Sequence, residues 1–222
     1  GIYVDDNYGY YSNNIDSINI KDLSFSYKND EYILENFNLI INKGDRLLVK
    51  GNSGVGKSTL FSLIKGEYSL DYGMIILGKE KLDNWNKKGL DEVITYGSIN
   101  SKIFKGRVID NIGYDVDKIK DIIKITNMNL DLCMMVEEDG LNISLGERSK
   151  LILTRMLYKN SNVLILDELL NNIELEEEIR ILKNIFNYYK NKIVIYTSHR
   201  NIDESLFNKV LTLKKGRDYD IN

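Results

Sequence analysis

One short stretch restricts this chain more than any other: "GNSGVGKST", from Gly51 to Thr59, directly follows the apolar run "RLLVK" and directly precedes "LFSLIKGEY". Leu60, Phe61, Leu63 and Ile64 have helical spacing, so the order is buried strand, glycine loop, helix. Gly51, Gly56, Lys57 and Ser58 fill the pattern G-x-x-x-x-G-K-[ST], in which the backbone curls its N–H groups inward around phosphate oxygens. Glycine suits that curl because a side chain would block the approach. Asn52, Ser53, Gly54 and Val55 make up the rest of the loop, and Thr59 lies at the helix start, whose dipole favours an anion. Lys57 is expected to reach the β- and γ-phosphates of a nucleotide, and Ser58 to place its hydroxyl on Mg²⁺.

Two further runs complete a site around that loop. "NVLILDE" is a short apolar strand ending in Asp167 and Glu168, and "KIVIYTSH" repeats the design, ending in His199, the only histidine. Such runs belong in the middle of a parallel sheet buried on both faces. Ligands bind beyond the C-terminal ends of strands in open α/β sheets. Asp167 is therefore a candidate to organise Mg²⁺, Glu168 to polarise an attacking water, and His199 to contact the γ-phosphate or position that water.

Composition narrows the partners. The 222 residues, 43% of them hydrophobic, can bury one large core or two lobes sharing it. A net charge of -3 gives no basic field for nucleic acid. No apolar run approaches the roughly 20 residues needed to span a bilayer, so the chain itself is not expected to cross one. Cys133, in "LDLCMMV", is the single cysteine and is expected to be a small core residue.

Residues 1–17 lack apolar periodicity and read as a linker, with the folded domain starting near Ile18. "INIKDLSFSY" and "YILENFNLIINKGDRLLVKG" alternate in strand fashion, with a turn at Lys43, Gly44 and Asp45, and are expected to pair antiparallel. "GMIILGKE" and "EVITYGSI" read as further strands, and "VDKIKDIIKITNM" and the stretch from Ser149 to Leu157 as helices.

The order of glycine loop, "ISLGER", "LILDE" and "YTSHR" resembles the nucleotide-binding domain of ATP-binding cassette (ABC) transporters, over nearly everything from Ile18 to Arg217. "IFKGRVIDNIGY" and "VEEDGLNIS" look like segments of exporter-type members, of which bacterial peptide exporters are one kind. The resemblance implies an α/β phosphate-loop nucleotidase. Its central sheet would be mostly parallel, with an N-terminal antiparallel β subdomain and a shortened helical subdomain over about residues 100–160.

ATP and Mg²⁺ are the implied ligands, with Tyr27 of "FSY" stacking on adenine; the rival reading of Tyr27 is an ordinary strand aromatic, since Tyr is frequent in this chain. The family signature LSGGQ becomes Ile143, Ser144, Leu145, Gly146 and Glu147, which retains the two positions, Ser144 and Gly146, that face an ATP bound by the opposite subunit. A homodimer or heterodimer enclosing two ATP molecules follows, with Glu168, His199 and Lys57 as catalytic groups. Glu138 falls where the family has an acid facing the membrane domain, which is implied upstream, placing the chain at the cytoplasmic face of a membrane.

Departures from the family pattern are specific. Ile99, beside Asn100, stands where the family has a glutamine, and "NNIE", Asn171 to Glu174, replaces "SALD". The altered glutamine position and signature keep open a weakened cassette that regulates a partner; a soluble cassette ATPase is a third reading, disfavoured by the single cassette and the lack of a coiled-coil insertion and of a basic face.

Overall fold

The computed structural model describes residues 8–28, 31–214 and 218–222. The first seven residues of the expected linker, and Arg217 at the far end of the cassette-like stretch, lie outside the described residues. In chain order the strands and helices are β1 (Ser17–Phe25), β2 (Leu34–Asn42), β3 (Arg46–Lys50), α1 (Lys57–Ile64), β4 (Tyr72–Leu77) and β5 (Glu80–Lys81). Then come α2 (Lys87–Val93), β6 (Ile94–Ser98), β7 (Gly106–Arg107), α3 (Val116–Thr126), β8 (Met135–Val136) and α4 (Leu145–Lys159). The chain ends with β9 (Val163–Asp167), α5 (Leu175–Tyr188), β10 (Ile193–Thr197), β11 (Lys209–Leu213) and β12 (Tyr219–Ile221).

Among the described residues, β2-β1-β4-β5 form one antiparallel sheet, and β12-β11-β3-β10-β9-β6 form a second that is parallel except for β12. The apolar runs in β9 and β10 are explained by this topology. Val163, Ile165, Ile193 and Ile195 pack toward α1 and the antiparallel sheet, while Leu164, Leu166, Val194 and Tyr196 pack toward α3, α4 and α5. Both faces are covered, and each such side chain taken fully out of water contributes about 1.5–3 kcal/mol.

Three expectations needed correction. β1 and β2 pair antiparallel as the alternation predicts, but the chain does not fold β3 back on β2. At the turn of Lys43 and Gly44 it crosses to the other sheet, where β3 lies parallel to both β10 and β11. A run buried on both faces, such as "RLLVK", satisfies itself better in the middle of a covered sheet than at an edge.

Packed chain also begins before Ile18. Tyr10 exchanges backbone hydrogen bonds with the segment of Asn84 and Asn86, sets its ring edge-on against Trp85 at 4.9 Å, and is followed by a buried Ile15. Cys133 is exposed, not buried. Cys133 sits in a tight turn closed by a bond from the Met134 N–H to the Asp131 carbonyl at 3.1 Å, with its own N–H donating to the Asp131 carboxylate, and the turn leaves it outside while Leu132 and Met134 pack against the core.

The two sequence-predicted helices are α3 and α4. Asp115 caps α3 by accepting from the Lys118 N–H, and Ile119, Ile122 and Ile125 bury its apolar stripe. The second helix starts four residues before Ser149, at Leu145, with Ser144 as its N-cap. Among the described residues, no helix is long and apolar enough to cross a membrane.

Candidate nucleotide site

The loop between β3 and α1 curls through Gly51, φ +150°, and Gly56, φ +110°, a region that side-chain-bearing residues rarely adopt. At Gly51 a Cβ would also stand 2.6 Å from Val55 Cγ2 and 2.8 Å from the Leu213 carbonyl oxygen, so the loop could not close beside β11. The loop forms the floor of an open cavity of about 1250 Å³. Lys57, Ser58, Asp167, Glu168 and His199 line that cavity, as do Ile99, Asn100 and Tyr27. A nucleoside triphosphate fits comfortably, since small-molecule sites are typically about 300–1,000 Å³.

Parallel register brings these groups together. Asp167 ends β9 opposite Thr197 of β10 and Ser98 of β6, so the residues just beyond those strand ends meet at one rim. Glu168 has left-handed backbone, φ +54°, held by a hydrogen bond from its N–H to the Thr197 carbonyl at 3.0 Å. For a residue with a Cβ that conformation costs on the order of 1–2 kcal/mol. It aims the carboxylate back over the loop, where Oε1 stands 4.0 Å from Lys57 Nζ.

Tyr96, on β6, donates its hydroxyl to Asp167 Oδ2. Burial, and then that hydrogen bond, push the Tyr96 hydroxyl far above the ordinary tyrosine range, so it stays a donor. Lys65 lies 3.8 Å from the Tyr96 ring centroid and covers the same ring. Sequence reading did not single out Tyr96.

Tyr27 has a defined seat. Its hydroxyl shares a hydrogen bond with Thr59 Oγ1 at 2.9 Å, and its ring packs edge-on against Phe25 and Tyr68, with centroids at 5.0 and 5.4 Å. The half-buried ring borders the cavity beside Ile33.

Ser144 and Gly146 do not line this cavity. They sit at the N-terminus of α4, where the Ser144 hydroxyl accepts from the Glu147 N–H and the Glu147 carboxylate accepts from the Ser144 N–H, a reciprocal capping box. Leu145, in place of a family glycine, lies in the first helical turn without left-handed backbone, and its side chain is 57% exposed. The change therefore strains nothing within this chain.

Arg148, one residue beyond the signature, was also missed in the sequence. Its guanidinium donates to the carbonyls of Ile99 at 2.6 Å and Ser101 at 2.8 Å, and to that of Asp139. Ile99 is thus anchored through its backbone, and its side chain offers no polar atom to the cavity. Putting a glutamine there is expected to raise ATP hydrolysis roughly two- to tenfold, the worth of one recovered hydrogen bond to a water or metal ligand. An unchanged rate would mean that Asn100 already makes that contact.

A glycine loop, an acid pair and a histidine gathered at the C-terminal rim of one parallel sheet define a phosphate-loop nucleotidase. The family model of the ABC transporter matches residues 34–171. The chain belongs to the ABC transporter family.

Among its relatives, the lacticin-481/lactococcin-DR transport/processing ATP-binding protein lcnDR3 of Lactococcus lactis subsp. lactis is 33% identical over 211 residues, covering 87% of this chain and 29% of that protein. The glutathione/L-cysteine transport system ATP-binding/permease protein CydC of Haemophilus influenzae is 28% identical, covering 90% of this chain and 37% of that one. A bacterial Atm1-family ABC exporter solved with ATP bound has the same fold, at a TM-score of 0.88 and 23% identity, over 97% of this chain and 40% of that chain. The chain thus spans well under half the length of each of these proteins.

Proposed function

We propose that this chain is the ATP-hydrolysing domain of an exporter-type ABC transporter, completed by a second cassette and driving a membrane domain at the cytoplasmic face of a membrane. The observation that carries this reading is the split site. Lys57, Glu168 and His199 share one cavity, whereas Ser144 and Gly146 face outward on a different surface, flanked by the exposed apolar side chains of Leu141 and Leu145. Each half is incomplete alone. Joining the loop of one copy to the signature helix of another supplies both, with ATP as the material of the interface.

Lys57 and the loop N–H groups would bind the β- and γ-phosphates, and Tyr27 would stack on the base. The residues fit Mg²⁺. Ser58 and Asp167 offer oxygen donors to one cavity, and among the described residues no cluster of three or more His, Cys, Asp or Glu forms a metal cage. Magnesium takes few protein ligands and leaves the rest of its shell to phosphates and water. Bound there, it would neutralise charge on the transferring phosphoryl group. Glu168 would polarise the attacking water and His199 would hold the γ-phosphate, positioning and charge neutralisation supplying most of the acceleration.

The names of the relatives, which include lacticin and lactococcin transport/processing proteins and an exporter, favour an export function, with a peptide as one cargo class. Phe104 and Met135 are exposed near the ion pair of Lys102 with Glu138 at 3.2 Å, a surface suited to receive the membrane domain. Because each catalytic site takes residues from two chains, the specific activity of the isolated chain should rise with its own concentration before it saturates. A specific activity independent of concentration down to nanomolar protein would sink the split-site reading.

A further inference from the structure

Outside the loop and the acid pair, the most organised polar cluster lies between the segment after β9 and the segment after β10. The Asn171 amide is within hydrogen-bond reach of His199 Nδ1 through its Nδ2. On its other side, the Ser198 hydroxyl donates to Asn171 Oδ1 at 2.8 Å, and Ser198 Oγ accepts from the Arg200 N–H at 3.1 Å. An amide whose oxygen already accepts from a hydroxyl turns its NH₂ the other way. The imidazole nitrogen facing that NH₂ must then be an acceptor.

The main chain of Asn171 is fixed as well. Arg200 sends its guanidinium to the carbonyls of Asn171 and Ile173, and pairs at 3.1 Å with Glu178, whose side chain is wholly buried and also accepts from the Tyr196 hydroxyl. Burial raises the Glu178 carboxyl above the usual range, against the opposing pull of Tyr196 and Arg200. The loop bearing Asn171 is thereby held at the height of the histidine.

We infer that Asn171 is a positioning residue that sets the tautomer of His199, keeping Nδ1 unprotonated so that the neutral imidazole presents an Nε2–H donor from its far edge. The Glu168 carboxylate lies 3.9 Å from the same Nδ1, beyond hydrogen-bond reach, and its charge draws a proton toward that nitrogen. Asn171 opposes this pull, so the carboxylate stays available to water and the histidine stays a donor. The catalytic consequence rests on the ATPase reading above, whereas the tautomer itself does not.

His199 is the only histidine, so ¹⁵N-histidine labelling of the 222-residue chain yields a single imidazole in long-range ¹H–¹⁵N spectra. In mildly alkaline buffer the wild type should show the Nε2–H form alone. Asn171→Asp replaces the donor by an acceptor and should bring a proton onto Nδ1. Its kcat for ATP should fall on the order of 10²-fold with KM little changed, an inverted tautomer in a hydrolase triad costing about 10⁴.

A wild-type spectrum showing Nδ1–H, or a mixture of both forms, overturns the inference, as does an unchanged tautomer or an unchanged kcat in Asn171→Asp. If that variant does not fold, Asn171→Ala serves: loss of the single-tautomer spectrum supports the role and its persistence overturns it. A wild type that hydrolyses no ATP refutes the ATPase reading, while the spectra still decide the tautomer.

Discussion

Glu168→Gln should abolish turnover while preserving ATP binding, and should convert the chain from monomer to a stable dimer in Mg-ATP. The substitution is nearly isosteric and leaves the left-handed backbone and its bond to the Thr197 carbonyl in place. What it removes is a carboxylate able to take a proton from water at the rim of the cavity, a contribution of roughly 10²- to 10⁴-fold. On the proposed reading binding should survive, because Lys57 and the loop N–H groups would grip the phosphates and the variant retains them. With hydrolysis slowed and ATP still holding two surfaces together, the complex should persist through gel filtration. A variant that elutes only as monomer in saturating Mg-ATP would remove either Glu168 from its role or the second chain from the site.

Lys57→Ala should act one step earlier, on binding. The Lys57 side chain is only 13% exposed and its ammonium faces Glu168 across the cavity. Hydrogen bonds to charged groups are worth about 1.5–3 kcal/mol each, so losing the contacts to two phosphates should weaken ATP binding by at least about 10²-fold. The deletion also leaves the Glu168 carboxylate without its nearest cation, which adds repulsion to the incoming triphosphate. Titration with a fluorescent ATP analogue, beside wild type, measures the effect. Near-wild-type affinity would show that the loop backbone alone carries the phosphates.

Legibility in the sequence followed burial geometry. β9 and β10 could be read because strands covered on both faces must be apolar throughout, and the acids and histidine ending them stand out against that background. The glycine loop was legible because its backbone shape forbids most substitutions. β3 was misplaced because a two-residue turn says nothing about which sheet the next strand joins. Cys133 was misjudged because its neighbours' hydrophobicity hides the turn at Asp131 that leaves it outside.

Glu178 was concealed inside the acidic run Glu176, Glu177 and Glu178, the ordinary look of a solvated helix start. A signal was present: Glu178 falls three, four and seven residues before the buried Ile181, Leu182 and Ile185, on the same stripe of α5. A carboxylate on an apolar stripe must find a cation, and Arg200, next to the histidine, is that cation. Arg148 and Tyr96 carry no comparable signal, because their partners are backbone carbonyls and a distant strand end.

Arg148 gives α4 a mechanical character. One planar side chain on this helix holds carbonyls from two separate loops, at Ile99 and Ser101 on one and Asp139 on the other. Neither loop can drift from the helix without losing its bond to the guanidinium. The two loops and α4 are therefore pinned together by one side chain, with the cavity-lining Ile99 on one loop and Ser144 at the start of the helix.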